Sequence, residues 1–265
     1  MRGVIATGTS VPGVRAGHPS ALRVALRTLG VAAVTGVGSG VVVAGLGGRL
    51  VMKIIALAAA PATGRVTANG NTVGDFTFDG TLSIILFSGL LFGLIGGLLY
   101  LSLLPWLTSL GPWRGLAFGV AVLALMGHTV FDPTNFDFRG FGSTGVNLAL
   151  FALLFIGFGL VIAPAFERLA AAAERSRAAA AVAWLGMLPA CLFVAFGITA
   201  TVAGLLGQGA DTRPEFGLLI LGTLLAGALG RIIGAGRPAA LALIALPVLA
   251  GFVITASAVA RILSG

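Results

Sequence analysis

The sequence predicts an all-α membrane protein, a polytopic bundle of about seven transmembrane helices with a small β-hairpin cap on its outer side. Hydrophobic residues make up 58% of the 265 residues and charged residues only 9%, whereas a soluble domain has roughly 25% charged residues. The mean hydropathy is +1.09, and several apolar runs reach the ~20 residues that cross a bilayer as a helix. Only helices and closed barrels satisfy their backbone in lipid, and runs of this length favour helices.

The chain divides into a tail and a single transmembrane domain. Residues 1–20 are polar and rich in Gly, Pro and Ser, which predicts a disordered cytoplasmic tail. Residues 21–265 form the transmembrane domain, and residues 21–28 are predicted to lead into it as an interfacial turn of helix. A cleavable signal peptide ending near Ala58 is the alternative, but Arg49 and Lys53 interrupt the apolar run before that point.

Each predicted span is an apolar run bounded by charged residues, Gly or Pro. The seven spans cover residues 29–48, 81–104, 115–131, 145–165, 182–204, 217–234 and 239–260. Glycines four residues apart, such as Gly36 and Gly40 in the first span, let helices approach closely. We expect them to serve ordinary packing, with a hinge or a dimer face as the alternative. Residues 167–177 continue the fourth span as a helix whose charges form a solvated face.

The distribution of charge predicts the orientation. With the N-terminus inside, ten of the sixteen basic residues fall on the cytoplasmic side and six of the eight acidic residues fall outside. Basic residues near span ends set orientation, so we expect a cytoplasmic N-terminus and an external C-terminus. Lys53 is the single lysine, and Ala and Gly are abundant. This usage is typical of a GC-rich bacterial genome, so we expect a multi-pass protein of the bacterial cytoplasmic (inner) membrane.

Two outer polar segments, 61–80 and 132–144, interrupt the apolar pattern. Residues 65–79 are rich in Val, Thr and Phe, which favour strands, and Asn69-Gly70 suits a tight turn. They predict the β-hairpin of the cap. In the second segment Phe and charged residues alternate from Phe136 onward, which predicts a short extended piece that pairs with the first.

The polar residues of these segments and of the neighbouring span ends form a candidate polar or ligand site. Its members are Arg49, Lys53, Asp75, Asp79, His128, Asp132 and Asp137. Carboxylates and an imidazole can hold a divalent cation, although the spacing does not follow the EF-hand pattern. The alternative is that these groups cap helices, with Asp79 and either Ser143 or Thr144 as N-caps, and pair with Arg65 and Arg139.

Arg49 and Lys53 carry the most informative charges. A helix over 29–60 would be about 48 Å long, longer than the ~30 Å hydrocarbon core. The two side chains either reach the outer interface or line a polar pathway or cavity. For His128, a hydrogen-bonded structural role is the expectation and proton transfer the alternative.

Motifs for phosphate, dinucleotide, zinc-protease or serine-hydrolase chemistry are absent from the sequence. We therefore assign no catalytic residue and expect no cofactor. The single cysteine, Cys191, allows no intrachain disulfide and no cysteine metal site, and we expect it to be a small buried side chain. The scattered charges exclude a nucleic-acid surface. The expected partners are the lipid bilayer and, through helix faces, a second copy or other membrane helices.

Three functions remain open. The first is a small transporter or channel for an ion or small solute, which is not an enzyme. The second is a membrane-embedded enzyme that acts on a lipid or envelope precursor. The third is a structural or accessory membrane subunit. A cavity beside Arg49 favours the first, a shared site of Asp75, His128 and Asp132 favours the second, and a solid bundle favours the third.

Overall fold

The computed structural model of the protein describes residues 21–58, 78–135, 137–206, 214–234 and 236–264, without the side chains of four residues within these ranges. The described residues form helices and turns, and no strand. Ten α-helices follow in order: α1 Ala21–Gly40, α2 Gly48–Ala58, α3 Phe78–Ile84, α4 Phe92–Leu107, α5 Arg114–Val130, α6 Asp137–Gly140, α7 Thr144–Arg175, α8 Arg177–Leu205, α9 Pro214–Ile233 and α10 Pro238–Ser264.

Six helical stretches among the described residues are long and apolar enough to cross a membrane. They are Ala21–Ala58, Gly80–Val130, Thr144–Arg175, Arg177–Leu205, Glu215–Ile233 and Pro238–Ser264. The all-α membrane architecture is therefore confirmed, although the expected number of spans was seven. The difference lies in Gly80–Val130, because residues predicted as two spans form one stretch of 51 residues. Within it, Gly111 has non-helical angles (φ 54°, ψ −123°), a conformation that glycine adopts without a Cβ clash.

The first membrane helix is longer than predicted. It runs without a break from Ala21 through α1, a π-helical segment (Val41–Gly47) and α2 to Ala58. Its 38 residues measure about 57 Å, so the helix exceeds the hydrocarbon core of a bilayer. The expected helical turn over 21–28 is part of it.

Glycines bring α1 and α4 into backbone contact. A Cβ at Gly36 would lie 2.6 Å from Gly97 Cα, and a Cβ at Gly40 would lie 2.6 Å from Gly93 Cα. The expected close packing through these glycines is confirmed, and it occurs within one chain. Around this crossing α1 also packs against α7 and α8, while α5 packs against α7 and α10.

One end of the bundle is rich in arginine, and acidic residues of α7 hold its helices together. Arg114 at the start of α5 pairs with Glu167, and Arg27 of α1 pairs with Glu174 at 3.4 Å. The expected helical extension over 167–177 is confirmed up to Arg175, where α7 ends. Its charges were expected to form a solvated face, and the side chains of Glu167 and Glu174 are solvent-accessible while they also pair with α5 and α1.

A proline and an arginine connect α4 to α9 near the same end. Pro105 lies within α4 and has no N–H for the carbonyl of Leu101, four residues earlier. The guanidinium of Arg231 on α9 donates to this carbonyl through Nη2. The ring of Trp106 packs on Gly230, where a Cβ would lie 2.6 Å from Cη2. Arg231 thus supplies the hydrogen bond that the proline removes.

The opposite end does not carry the predicted extended piece. Asp132 accepts hydrogen bonds from the Thr134 backbone and hydroxyl at 2.9 and 2.7 Å, and Asp137–Gly140 form the short helix α6. Side-chain acceptors that bond the backbone two residues on favour turns over strands. The prediction of an extended segment was therefore wrong.

The predicted β-hairpin over 65–79 lies outside the described residues except for its last two, Phe78 and Asp79. Both belong to the first turn of α3, so Asp79 is not the residue before the helix. Ser143 does precede α7 with extended angles, but among the described residues its hydroxyl makes no capping hydrogen bond.

Candidate functional site

An apolar cavity of about 170 Å³ lies where four parts of the bundle meet. Its walls come from the first membrane helix, the α3–α4 region, α5 and α7. The lining residues are Gly40, Ala44, Gly48, Met52, Ile84, Phe92, Gly93, Val122, Met126, Thr129, Val130, Phe151, Leu154, Phe155 and Phe158. Val122 and Phe158 are buried, whereas Met52 is 43% exposed. The cavity therefore extends from the surface of the bundle to its core.

Small residues of one helix face create this space. Gly40, Ala44 and Gly48 follow each other at four-residue intervals in the first membrane helix. A Cβ at Gly48 would touch only Ile84, at 3.9 Å. The opposite wall consists of large side chains of α7, including Phe155 and Phe158. The missing side chain of Gly48 therefore leaves open volume opposite the phenylalanines, whereas the Cβ position of Gly40 is taken up by the backbone of α4.

Two π-helical segments, Val41–Gly47 and Ile85–Leu91, pack against each other beside the cavity. A Cβ at Gly45 in the first would lie 3.2 Å from the Ile85 side chain in the second. Ala44 lies in the first segment, while Ile84 and Phe92 flank the second, and all three line the cavity. π-Helical turns are rare and frequently mark functional positions, so the pairing singles out this part of the bundle.

Among the described residues, fifteen line the cavity, and Thr129 on α5 is the one with a polar side chain. Its hydroxyl donates to the Met126 carbonyl at 2.7 Å. The other lining residues are aliphatic, aromatic, methionine or glycine. This surface favours the apolar part of a ligand and cannot replace the water shell of an ion.

Arg49 and Lys53 lie on α2, each one residue beyond a residue that lines the cavity (Gly48 and Met52). Both side chains are half-buried, and the Nε and Nη2 atoms of Arg49 are inaccessible to solvent. Asp75 lies outside the described residues. Asp79 lies in α3, but its side chain is not among those described. The expected convergence of these carboxylates with Arg49 stays a prediction.

His128 points to a different part of the bundle from the cavity. Its ring is buried and lies 6.1 Å from the ring of Phe216 on α9. Its backbone N–H donates to the Thr255 hydroxyl of α10 at 3.0 Å, and that hydroxyl donates to the Ala124 carbonyl at 2.9 Å. In an α-helix this amide and this carbonyl would pair with each other. The Thr255 hydroxyl therefore connects the His128 amide and the Ala124 carbonyl of α5 by accepting from the first and donating to the second.

Asp132 and Asp137 belong to the turns between α5 and α7. The Asn135 side chain accepts from the Asp137 backbone at 2.9 Å. Arg139, expected to pair with an acidic residue, donates to the Ile262 and Arg261 carbonyls of α10 at 3.0 and 2.6 Å. No group of three or more His, Cys, Asp or Glu residues in the described part of the chain is placed to hold a metal ion. Cys191, expected to be buried, is exposed on α8.

Sequence reasoning missed the cavity, the π-helical pair and Thr129. One signal was available for the cavity, because Gly40, Ala44 and Gly48 continue the small-residue spacing of Gly36 and Gly40. The phenylalanines opposite them lie more than a hundred residues later, so the sequence could not show that the two sets meet.

Comparisons with known proteins found no matching family model, no matching curated protein and no matching solved structure.

Proposed function

We propose that the protein binds a membrane-dissolved apolar or amphiphilic molecule in the cavity between the first membrane helix, α3–α4, α5 and α7, and transports it or carries it within the bilayer. The cavity is the observation that carries the proposal. An apolar cavity of about 150 Å³ stays dry and accepts benzene-sized guests, and this cavity of about 170 Å³ has a similar lining. A solid accessory bundle would have no such space.

The chemistry of the lining decides between the expected solutes. A hydrated ion entering this cavity would lose its water and gain one hydroxyl, at a cost of several kcal/mol. A hydrocarbon segment would gain contact with phenylalanine and methionine side chains. The transport hypothesis is therefore retained for an apolar solute rather than an ion. The described lining residues include no acid or base, so nothing among them would activate the Thr129 hydroxyl for an enzyme that acts on a lipid.

Filling the cavity should abolish binding. In Gly48→Leu the new side chain enters the cavity, because a Cβ there meets only Ile84. The full chain in detergent is photolabelled with a diazirine-bearing medium-chain alkyl probe, and the labelled residues are mapped by mass spectrometry. We expect saturable labelling of the buried lining residue Phe158 in the wild-type protein and its loss in Gly48→Leu.

Gly38→Leu is the matched control, since Gly38 is on the same helix but has no heavy atom within 4 Å of its Cβ position. It should label like the wild type. Exposed Leu160 of α7 reports non-specific labelling from the micelle. The proposal would be contradicted if Phe158 is labelled equally in Gly48→Leu and in the wild type. It would also be contradicted if the labelling of Phe158 never exceeds that of Leu160.

For the membrane arrangement, we propose seven spans, with Gly80–Val130 crossing twice. Its 51 residues would measure about 76 Å as one helix, more than twice the hydrocarbon core, and the break at Gly111 supports a turn. The arginine-rich end supports a cytoplasmic N-terminus and an external C-terminus. The bacterial inner membrane remains the proposed location, on the residue usage alone.

A further inference from the structure

We propose that the molecule bound in the cavity is a membrane-soluble alcohol, whose hydroxyl donates a hydrogen bond to Thr129 Oγ1. This inference rests on the proposed function and names the chemical class of its ligand. It follows from the one polar side chain in the described part of the lining and from the direction of the hydrogen bond that this side chain already makes.

In its present hydrogen bond, the Thr129 hydroxyl can act toward a ligand only as an acceptor. A threonine hydroxyl has one proton and two lone pairs, and the proton of Thr129 is donated to the Met126 carbonyl at 2.7 Å. Rotating the hydroxyl toward a ligand would break that bond. The cavity therefore selects a ligand that brings its own donor.

The remaining lining limits how polar the ligand can be. Beyond Thr129, the fourteen lining side chains are apolar or glycine, so a second polar group on the ligand would be buried without a partner, at a cost of ~1–3 kcal/mol. A carboxylic acid would be ionised at neutral pH and far more costly to bury. An alcohol has one O–H donor, no charge and a hydrocarbon remainder.

The size of the cavity fixes how much of the ligand it encloses. Since about 150 Å³ accommodates a benzene-sized guest, about 170 Å³ encloses a hydrocarbon segment of roughly six carbon atoms. Any longer chain would leave the cavity on the side of exposed Met52. A linear or branched alkanol meets these conditions.

The test compares two photoactivatable probes of equal chain length on the full chain in detergent, a diazirine-bearing alkanol and the corresponding alkane. In the wild-type protein the alkanol should label Phe158 and Met126 at a concentration roughly two- to tenfold lower than the alkane, the factor for one neutral hydrogen bond. Thr129→Val should remove this difference, and Thr129→Ser should keep it. Thr199→Val is the matched control, because Thr199 makes the same kind of bond to Ala195 O on the exposed side of α8.

The outcomes separate the two proposals. If both probes label equally, and Thr129→Val does not change this, the proposal of an alcohol ligand would be contradicted. The proposal that the cavity binds an apolar molecule would remain. Labelling of Phe158 by neither probe would overturn both. The comparison of probes on the wild-type protein needs no variant, so it stands even where Thr129→Val fails to fold.

Discussion

At the residue scale, Arg231 shows how a charged side chain near a membrane span can have a structural role. Its guanidinium donates to the Leu101 carbonyl, which lost its helical donor to Pro105. An unmet carbonyl in a buried or lipid-facing position costs ~1–3 kcal/mol. The excess of basic residues on the predicted cytoplasmic side is consistent with an arginine at this helix end, but it gives no indication of the partner on α4.

This pairing predicts coupling between positions 105 and 231. Arg231→Met should lower the unfolding free energy by about 1–2 kcal/mol, because it leaves the carbonyl without a donor. In a Pro105→Ala background the loss should be smaller, because the alanine introduced there supplies its own N–H. A double-mutant cycle of detergent unfolding measures the difference. Equal losses in both backgrounds would show that Arg231 does not act on Leu101.

The predicted site residues illustrate what single positions reveal. Asp132 was predicted as a ligand or a helix cap, and it accepts hydrogen bonds from Thr134 in a turn that precedes α6. The period-two pattern in the same segment misled, because the local side-chain acceptors favour a turn there.

At the scale of elements, the crossing of α1 and α4 depends on missing side chains. Gly36→Ala should destabilise the protein by about 1–3 kcal/mol, because its methyl group would lie 2.6 Å from Gly97 Cα. Gly38→Ala on the same helix has open space and should be neutral or stabilising, since alanine favours helix. Thermal unfolding in detergent compares the two. Similar melting temperatures would contradict the crossing.

Elements were predicted well where they depend on local composition. The apolar runs indicated the position of most helices, and the Ala-rich stretch after residue 167 continued α7 as expected. The π-helical segments were not predicted, because Val41–Gly47 and Ile85–Leu91 have the same apolar composition as the α-helix around them. Their geometry depends on the packing between the two helices.

At the scale of the whole molecule, the proposed topology makes opposite predictions for two serines in a Cys191→Ala background. Ser109, replaced in Ser109→Cys, lies in the turn between α4 and α5, and Ser143, replaced in Ser143→Cys, lies directly before α7. A membrane-impermeant maleimide should label the cysteine at position 143 in intact cells and the cysteine at position 109 only after permeabilisation. Both on one side would exclude two crossings by Gly80–Val130, and the reverse pattern would invert the orientation.

The hydrogen bonds of Thr255 also distinguish the α5 wall of the cavity from its other walls, because they connect α5 to a second helix. Because its hydroxyl bonds to both the Ala124 carbonyl and the His128 amide, two hydrogen bonds connect α10 to α5. The π-helical pair lies beside the cavity and contributes Ala44 to its lining, and its i→i+5 bonding departs from the standard helix. A guest larger than the resting cavity would therefore be accommodated more readily by a shift at the π-helical pair than by a shift of α5, which would break the bonds to Thr255.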